Sequence, residues 1–91
     1  MTKENKLRKL LETGKLTLST RLHSTWPLVA EAVGALERYD YFEFVGEYAP
    51  YDQYDMENMV RAAELHGMGS MMKVDYQNRA VTAQKAVASG L

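Results

Sequence analysis

The chain contains no cysteine, which excludes a disulfide framework, a thiolate metal site and a cysteine nucleophile. It has no apolar run near the roughly 18 residues that a membrane span requires. Its first residues, Met-Thr-Lys-Glu-Asn-Lys, lack the apolar stretch of a secretion signal. Neither sign of charge dominates: 11 basic and 12 acidic side chains are interspersed, for a net charge of −1. There is therefore no basic stripe for nucleic acid and no electrostatic pull toward an anionic membrane. No Gly-, Ser- or Pro-rich linker and no low-complexity tract interrupts the chain. What remains is 91 residues with 46% apolar and 25% charged side chains, enough for one small globular domain. A cytoplasmic setting is the expectation.

Residues 4–13 place Leu7, Leu10 and Leu11 on one helical face before Gly14, a suitable helix stop. Residues 16–23 alternate with period two and read as a first strand. Leu16, Leu18 and Leu22 share one face of it, while Ser19, Arg21 and His23 share the other. Ser24-Thr25-Trp26-Pro27 is a helix entry with proline at the first turn, and Leu28, Val29, Ala32, Val33 and Leu36 follow at helical spacing over 27–38. The aromatic run Tyr41-Phe42-Glu43-Phe44-Val45 predicts a second strand. Over 54–66, Met56, Met59, Val60 and Ala63 form the buried stripe of a helix closed by His66-Gly67. His66 stands in its last turn, where a cation meets the helix dipole favourably. Residues 70–75 predict a third strand in which Met71 and Met72 are core. A final helix over 79–89 carries Ala80, Val81, Ala83, Ala86 and Val87, then stops at Gly90.

Strands alternating with helices imply repeated βα units and a parallel sheet, an α/β fold. A right-handed series of three strands leaves an open edge after the third, and Gly90-Leu91 stand where a fourth strand would begin. The expectation is a segment of a larger fold. Between the second strand and its following helix lies Gly46-Glu47-Tyr48-Ala49-Pro50-Tyr51-Asp52, a βα loop. In α/β folds such loops share one face with the carboxyl ends of all the strands, and chemistry concentrates there.

Gly46-Glu47-x-Ala49-Pro50 after an aromatic-apolar strand, preceded by Pro27-x-x-Ala-Glu31 and by Asn5-Lys-Leu-x-x-Leu-Leu-x-x-Gly14, resembles the HpcH/HpaI aldolase family. These are the metal-dependent hydroxy-oxo-heptanedioate aldolases of the citrate lyase and aldolase superfamily. The resemblance runs over essentially the whole chain but over only the first third of a (β/α)8 barrel of about 250 residues. It implies a partial TIM barrel, with an N-terminal helix followed by three βα units. The implied reaction is reversible aldol cleavage of a 4-hydroxy-2-oxo acid to pyruvate and an aldehyde. A divalent metal, magnesium or manganese, would chelate the pyruvate carboxylate and keto oxygen, an Arg on the third strand would hold the developing charge, and a His after the loop Glu would move the proton. The small 2-oxo acid is the implied partner, with no nucleic acid or membrane, and the full-length protein would be a homo-oligomer. The metal's carboxylate ligands would lie on later strands, outside this chain.

The chain departs from that pattern at working positions. The family's Glu-His reads Glu47-Tyr48, and its third-strand Arg falls on Lys73. Val45 replaces an acid and Arg21 an aromatic. Tyr48, with an ordinary pKa near 10, is a poor base at neutral pH; it either donates a hydrogen bond to an enolate or a water, or packs as a loop aromatic. Lys73 keeps the charge of the Arg without its two-pronged geometry. It either holds substrate charge or pairs with Glu43 or Glu47, and a Schiff-base role would need strong desolvation. By the resemblance Glu47 orients a metal-bound water or a neighbouring side chain; otherwise it is a solvated acid or a helix cap. Strand parity turns Arg21 and His23 toward the substrate, and His23 either supplies the missing imidazole or is a polar core histidine. Ser19, Arg21, His23, Glu43, Glu47, Lys73 and Asp75 then share one side of the sheet as a charged pocket. The alternatives to a lyase are a non-catalytic barrel relative that binds a small carboxylate and a truncated product without independent activity.

Overall fold

Three short runs, only the middle one rich in aromatic residues, pair side by side, and the order and register of that pairing place every charged group discussed below. The computed structural model describes residues 5–91. Within them the order is α1 (Lys6–Glu12), β1 (Ser19–Leu22), α2 (Pro27–Ala35), β2 (Tyr41–Val45), α3 (Gln53–Glu64), β3 (Gly69–Lys73) and α4 (Arg79–Ser89). The strands form one parallel sheet in the order β1-β2-β3. Arg21 lies opposite Glu43 and Leu22 opposite Phe44, while Glu43 lies opposite Met71 and Val45 opposite Lys73. Consecutive parallel strands joined by helices are the construction of a barrel wall.

Because side chains alternate along a strand, the two faces of the sheet differ completely. Leu22, Phe42 and Phe44 point into the helical layer, where they meet Ala30 of α2 and Met59, Ala62 and Ala63 of α3. Phe42 and Phe44 are sealed from water, with 0% and 1% exposure. Phe44 also meets the Tyr51 ring edge to face, with centroids 5.7 Å apart. The opposite face carries Arg21, Glu43, Val45, Met71 and Lys73. Helix α1 closes only its amino end, where buried Leu7 and Tyr41 border the space that a side chain at Gly69 would take. Lys6 fastens α1 there by donating from Nζ to the Gly67 carbonyl.

Asp40 gathers the amino ends of the strands. Its amide donates to the Leu18 carbonyl (2.7 Å), its Oδ2 accepts from the Leu18 amide (2.9 Å), and its carbonyl accepts from the Gly69 amide (2.9 Å). This clamp explains why the first strand is shorter than the alternation predicts. Residues 16–18 lie outside β1, with Leu16 99% exposed and Leu18 55% exposed, so of the three leucines only Leu22 is core.

Other expectations are corrected in the same way. The helix start at Glu4 lies outside the described residues. Helix α2 ends at Ala35, short of 38, because Glu37 takes the left-handed conformation with φ 55°. Its fully buried residues are Ala30 and Gly34, while Leu28 and Leu36 are exposed. Helix α3 runs Gln53–Glu64 with Leu65 as its C-cap, so His66 lies beyond the last turn and not in it; a β-carbon at Gly34 would lie 2.9 Å from the His66 side chain, which packs across α2. β3 begins one residue earlier and ends two earlier than expected; Met72 packs on the core but Met71 faces the open side, 37% exposed. In α4 the buried pair is Thr82 and Ala86, with Val81 and Val87 exposed. No helix of the described residues is long and apolar enough to cross a membrane.

Candidate functional site at the carboxyl end of the sheet

The site begins with a steric fact about Gly46. A β-carbon there would lie 2.3 Å from the Met72 methyl and 3.2 Å from both the Lys73 carbonyl and the Tyr51 ring. Only glycine lets the chain leave β2 this close to the end of β3. The next two residues are therefore set beside Lys73. Immediately afterwards the chain is captured by α3, where Asp52 accepts from the Asp55 amide (2.8 Å) and Asp55 accepts from the Asp52 amide (2.9 Å). This reciprocal capping box fixes the far end of the loop.

Lys73 Nζ lies 3.2 Å from Glu47 Oε1, and the same ammonium sits 5.4 Å from the centroid of the Tyr48 ring. The pair is half-exposed, so its Coulomb energy is screened by water; what it supplies is placement. The Tyr48 hydroxyl first, and the Lys73 ammonium second, hold the Glu47 carboxyl below its ordinary range. In return, donation to Glu47 pushes the Tyr48 phenol above its ordinary range, and the nearby Lys73 charge opposes that rise. At neutral pH the cluster therefore holds a carboxylate, an ammonium and a protonated phenol.

One pleat below, roughly 6.6 Å along the strand, Arg21 Nε lies 3.1 Å from Glu43 Oε1. That oxygen is buried and accepts no aligned hydrogen bond among the described residues. The contact is thus an ion pair by proximity, with Arg21 itself largely exposed. The two pairs make the middle and upper rows of the open face alternate in sign.

The structure brings together Glu47, Tyr48 and Lys73, with Arg21 and Glu43 beneath them. It does not bring in His23, which is exposed beyond the end of β1 and makes no hydrogen bond or ion pair among the described residues. It is therefore not a core histidine. Asp75 stays near Glu47, whose ionisation its charge opposes, but is tied to a local turn. It lies after β3, where its Oδ2 accepts from the Asn78 side chain (2.8 Å) and amide (3.2 Å). It borders an open cleft of about 670 Å³ between the loop and α4, floored by Met56 and Val81 and walled by Glu47 and Lys85. The motif included Gly46 without its steric role, and the role of Tyr51 escaped the sequence reading altogether. Gly46 had a visible signal, a glycine directly after a strand; Tyr51, whose hydroxyl reaches Thr82 of α4 at 3.4 Å, had none.

Among the described residues no three carboxylate or imidazole groups converge as a metal cage. Glu43 and Glu47 are each turned onto a cation, so the donor set of the described residues does not fit a divalent ion by itself.

No protein-family model matches the chain and no curated protein matches it. Solved structures do. The chain is similar to an HpcH/HpaI aldolase from Desulfitobacterium hafniense DCB-2, at 25% identity and a TM-score of 0.79, over 92% of this chain and 32% of that one. It is similar to the citrate synthase SbnG at 20% identity and a TM-score of 0.83, over 96% and 35% of the two chains. A third likeness is to an HpcH/HpaI aldolase/citrate lyase family protein from Burkholderia cenocepacia J2315, at 24% identity and a TM-score of 0.76, over 96% and 34%. The chain thus spans about a third of the length of the structures it matches. Its fold is that of a partial aldolase barrel.

Proposed function

We propose that this chain is the portion of a lyase barrel of the aldolase type that presents Lys73, Glu47 and Tyr48 to a small 2-oxo acid. The observation that carries the reading is the Lys73–Glu47 pair at 3.2 Å, standing at the carboxyl end of a parallel sheet whose fold matches HpcH/HpaI aldolases. In barrels that end is where chemistry takes place. The substrate class is a 4-hydroxy-2-oxo acid, cleaved to pyruvate and an aldehyde. As the C3–C4 bond breaks, the electron pair flows to the 2-oxo oxygen, and negative charge grows there and persists on the carboxylate. Lys73, a compact cation on a mobile stem, is the group of this chain suited to hold that charge. The protonated Tyr48 hydroxyl is a donor and not a base, since its phenol is pushed up by Glu47. Arg21, paired with Glu43 at 3.1 Å, stands one row below. The proton lost by the C4 hydroxyl is matched by the one gained at C3, so the cleavage is proton-neutral overall. The magnesium or manganese that the resemblance implies would act as a Lewis acid on the keto oxygen; its ligands would come from elsewhere, and no step above runs through it.

Pyruvate release from a 4-hydroxy-2-oxo acid by the protein containing this chain, measured with a coupled lactate dehydrogenase, tests the reading. Lys73→Ala is expected to lower kcat/KM about 100-fold, as for loss of one charge-stabilising donor. Activity indifferent to that change would refute it. A second reading is supported by the titration pattern: Glu47 moves down and Tyr48 up, away from the neutral range where a general base works best. On that reading the mouth binds a small carboxylate without turnover. Pyruvate binding that needs Lys73, with no product formed, would favour it.

A further inference from the structure

The cleft between the loop and α4 shares a wall with the mouth, because Glu47 lines it and also lies 3.2 Å from Lys73 Nζ. Its volume of about 670 Å³ falls among small-molecule pockets, roughly 300–1,000 Å³. A substrate held by its 2-oxo acid end at Lys73 can extend past Glu47 into this space. There it meets two hydroxyls, those of Tyr51 and Thr82. Thr82, at 7% exposure, is the only buried polar or charged residue among the described residues. The two hydroxyl oxygens lie 3.4 Å apart, well beyond the about 2.7–2.8 Å of an ordinary O–H···O bond. A hydroxyl is one donor and two acceptors, so this long contact leaves both with capacity for a better partner. We propose that the Tyr51–Thr82 pair reads a hydroxyl on the aldehyde half of the substrate, so that the cleft selects uncharged, hydroxylated aldehydes. The inference rests on the lyase reading above and adds to it the class of aldehyde.

The surroundings of the pair suit that role. The Tyr51 ring packs edge to face on Phe44 with centroids 5.7 Å apart, and it borders Gly46 on another side. Its hydroxyl is therefore held in place before a ligand arrives, which lowers the ordering cost of binding. Met56 and Val81 offer apolar surface to a short carbon chain. A tail with its own carboxylate is disfavoured, because Asp52 and Asp75 border the cleft beside Glu47 and only Lys85 opposes them. Both aspartates already spend an oxygen within their own turns, on the Asp55 amide and on Asn78. The hydroxyl pair makes no such commitment beyond its one long contact.

The test runs the protein containing this chain in the condensing direction, where pyruvate C3 joins the aldehyde carbonyl carbon. Glyceraldehyde and propionaldehyde, equal in carbon number, serve as the hydroxylated and the plain aldehyde, and circular dichroism checks that each variant is folded. Wild type is expected to favour glyceraldehyde in kcat/KM. Tyr51→Phe is expected to lower kcat/KM for glyceraldehyde about fivefold, as for loss of one neutral hydrogen bond. It should leave propionaldehyde and the KM for pyruvate unchanged. Thr82→Val, similar in shape, is expected to act like Tyr51→Phe, while Thr82→Ser keeps the preference. No condensation with either aldehyde overturns the lyase reading and this inference together. Condensation without a preference for glyceraldehyde overturns the inference alone. So does a Tyr51→Phe loss equal for both aldehydes, since a loop merely displaced would disturb both. A higher kcat/KM for succinate semialdehyde, which carries a carboxylate, than for glyceraldehyde also overturns it.

Discussion

A single hydrogen atom at position 46 decides whether Glu47 and Lys73 meet. In Gly46→Ala the Met72 methyl could swing aside, but the Lys73 carbonyl, 3.2 Å from the added carbon, is backbone and could not. The substitution is expected to cost about 1–3 kcal/mol by overpacking, read from urea denaturation, and to return the Glu47 carboxyl toward its ordinary pKa. An unchanged carboxyl titration would show that the loop does not depend on this approach. The same cluster sets a pH dependence of known sign. Glu47 titrates below 4.5 in the folded chain, so its contribution is complete above that value and fades as pH falls through the lowered pKa. Tyr48 titrates above 10.0, so its contribution is complete below that value and fades as pH rises through the raised pKa. Glu47→Gln is expected to bring the Tyr48 phenolate absorbance transition back toward lower pH. A transition that stays in place would remove Glu47 as its cause.

At the scale of elements, the helices differ in how they are held. Helix α3 has a complete capping box and five buried residues, whereas α4 has no side-chain cap at Asn78 and buries only Thr82 and Ala86. Asp52→Ala is expected to destabilise by about 1 kcal/mol, the usual worth of an N-cap, as a fall in thermal midpoint. Asn78→Ala removes no capping bond of that kind and should leave the midpoint within about 0.5 kcal/mol of wild type. An equal loss in both variants would mean that the cap is not what holds α3. The contrast also explains which stripes were legible. Met56, Met59, Val60 and Ala63 recur at helical spacing and are all buried. In α4, by contrast, the larger Val81 and Val87 face outward. Helix α4 approaches closely enough that a β-carbon at Gly90 would lie 2.9 Å from Val60, and small residues suit such a contact better than large ones.

For the molecule as a whole, stability is concentrated in β2 and the face of α3 above it. β2 is the only strand of the described sheet with a partner on each side, and it carries Phe42 at 0% exposure. Phe42→Ala is expected to cost about 3–5 kcal/mol, a large part of the roughly 5–15 kcal/mol that holds a small domain together, and circular dichroism should show extensive unfolding. Amide hydrogen exchange is expected to be slowest in β2 and faster in β1, whose outer edge is unpaired among the described residues. Equal protection of β1 would mean that its edge is covered in solution.

Local chemistry in the chain was enough to determine the alternation of strands and helices, the extent of β2, the capped start of α3 and the βα loop with its aldolase-like residues. Each depends on side chains within a few positions of one another: the aromatic run, Asp52 with Asp55, and Gly46 next to Glu47. Strand parity also placed Arg21, Glu43 and Lys73 on one face, because a two-residue period survives folding. Only the tertiary structure decided where β1 begins, since that is set by Asp40 gripping Leu18 from 22 positions away. It alone turned His23 out to solvent, tied Asp75 to Asn78, and chose Glu47 over Glu43 as the partner of Lys73. Those outcomes depend on distances across the sheet. Periodicity can say which face a charge occupies, but only packing brings it to within 3.2 Å of its partner.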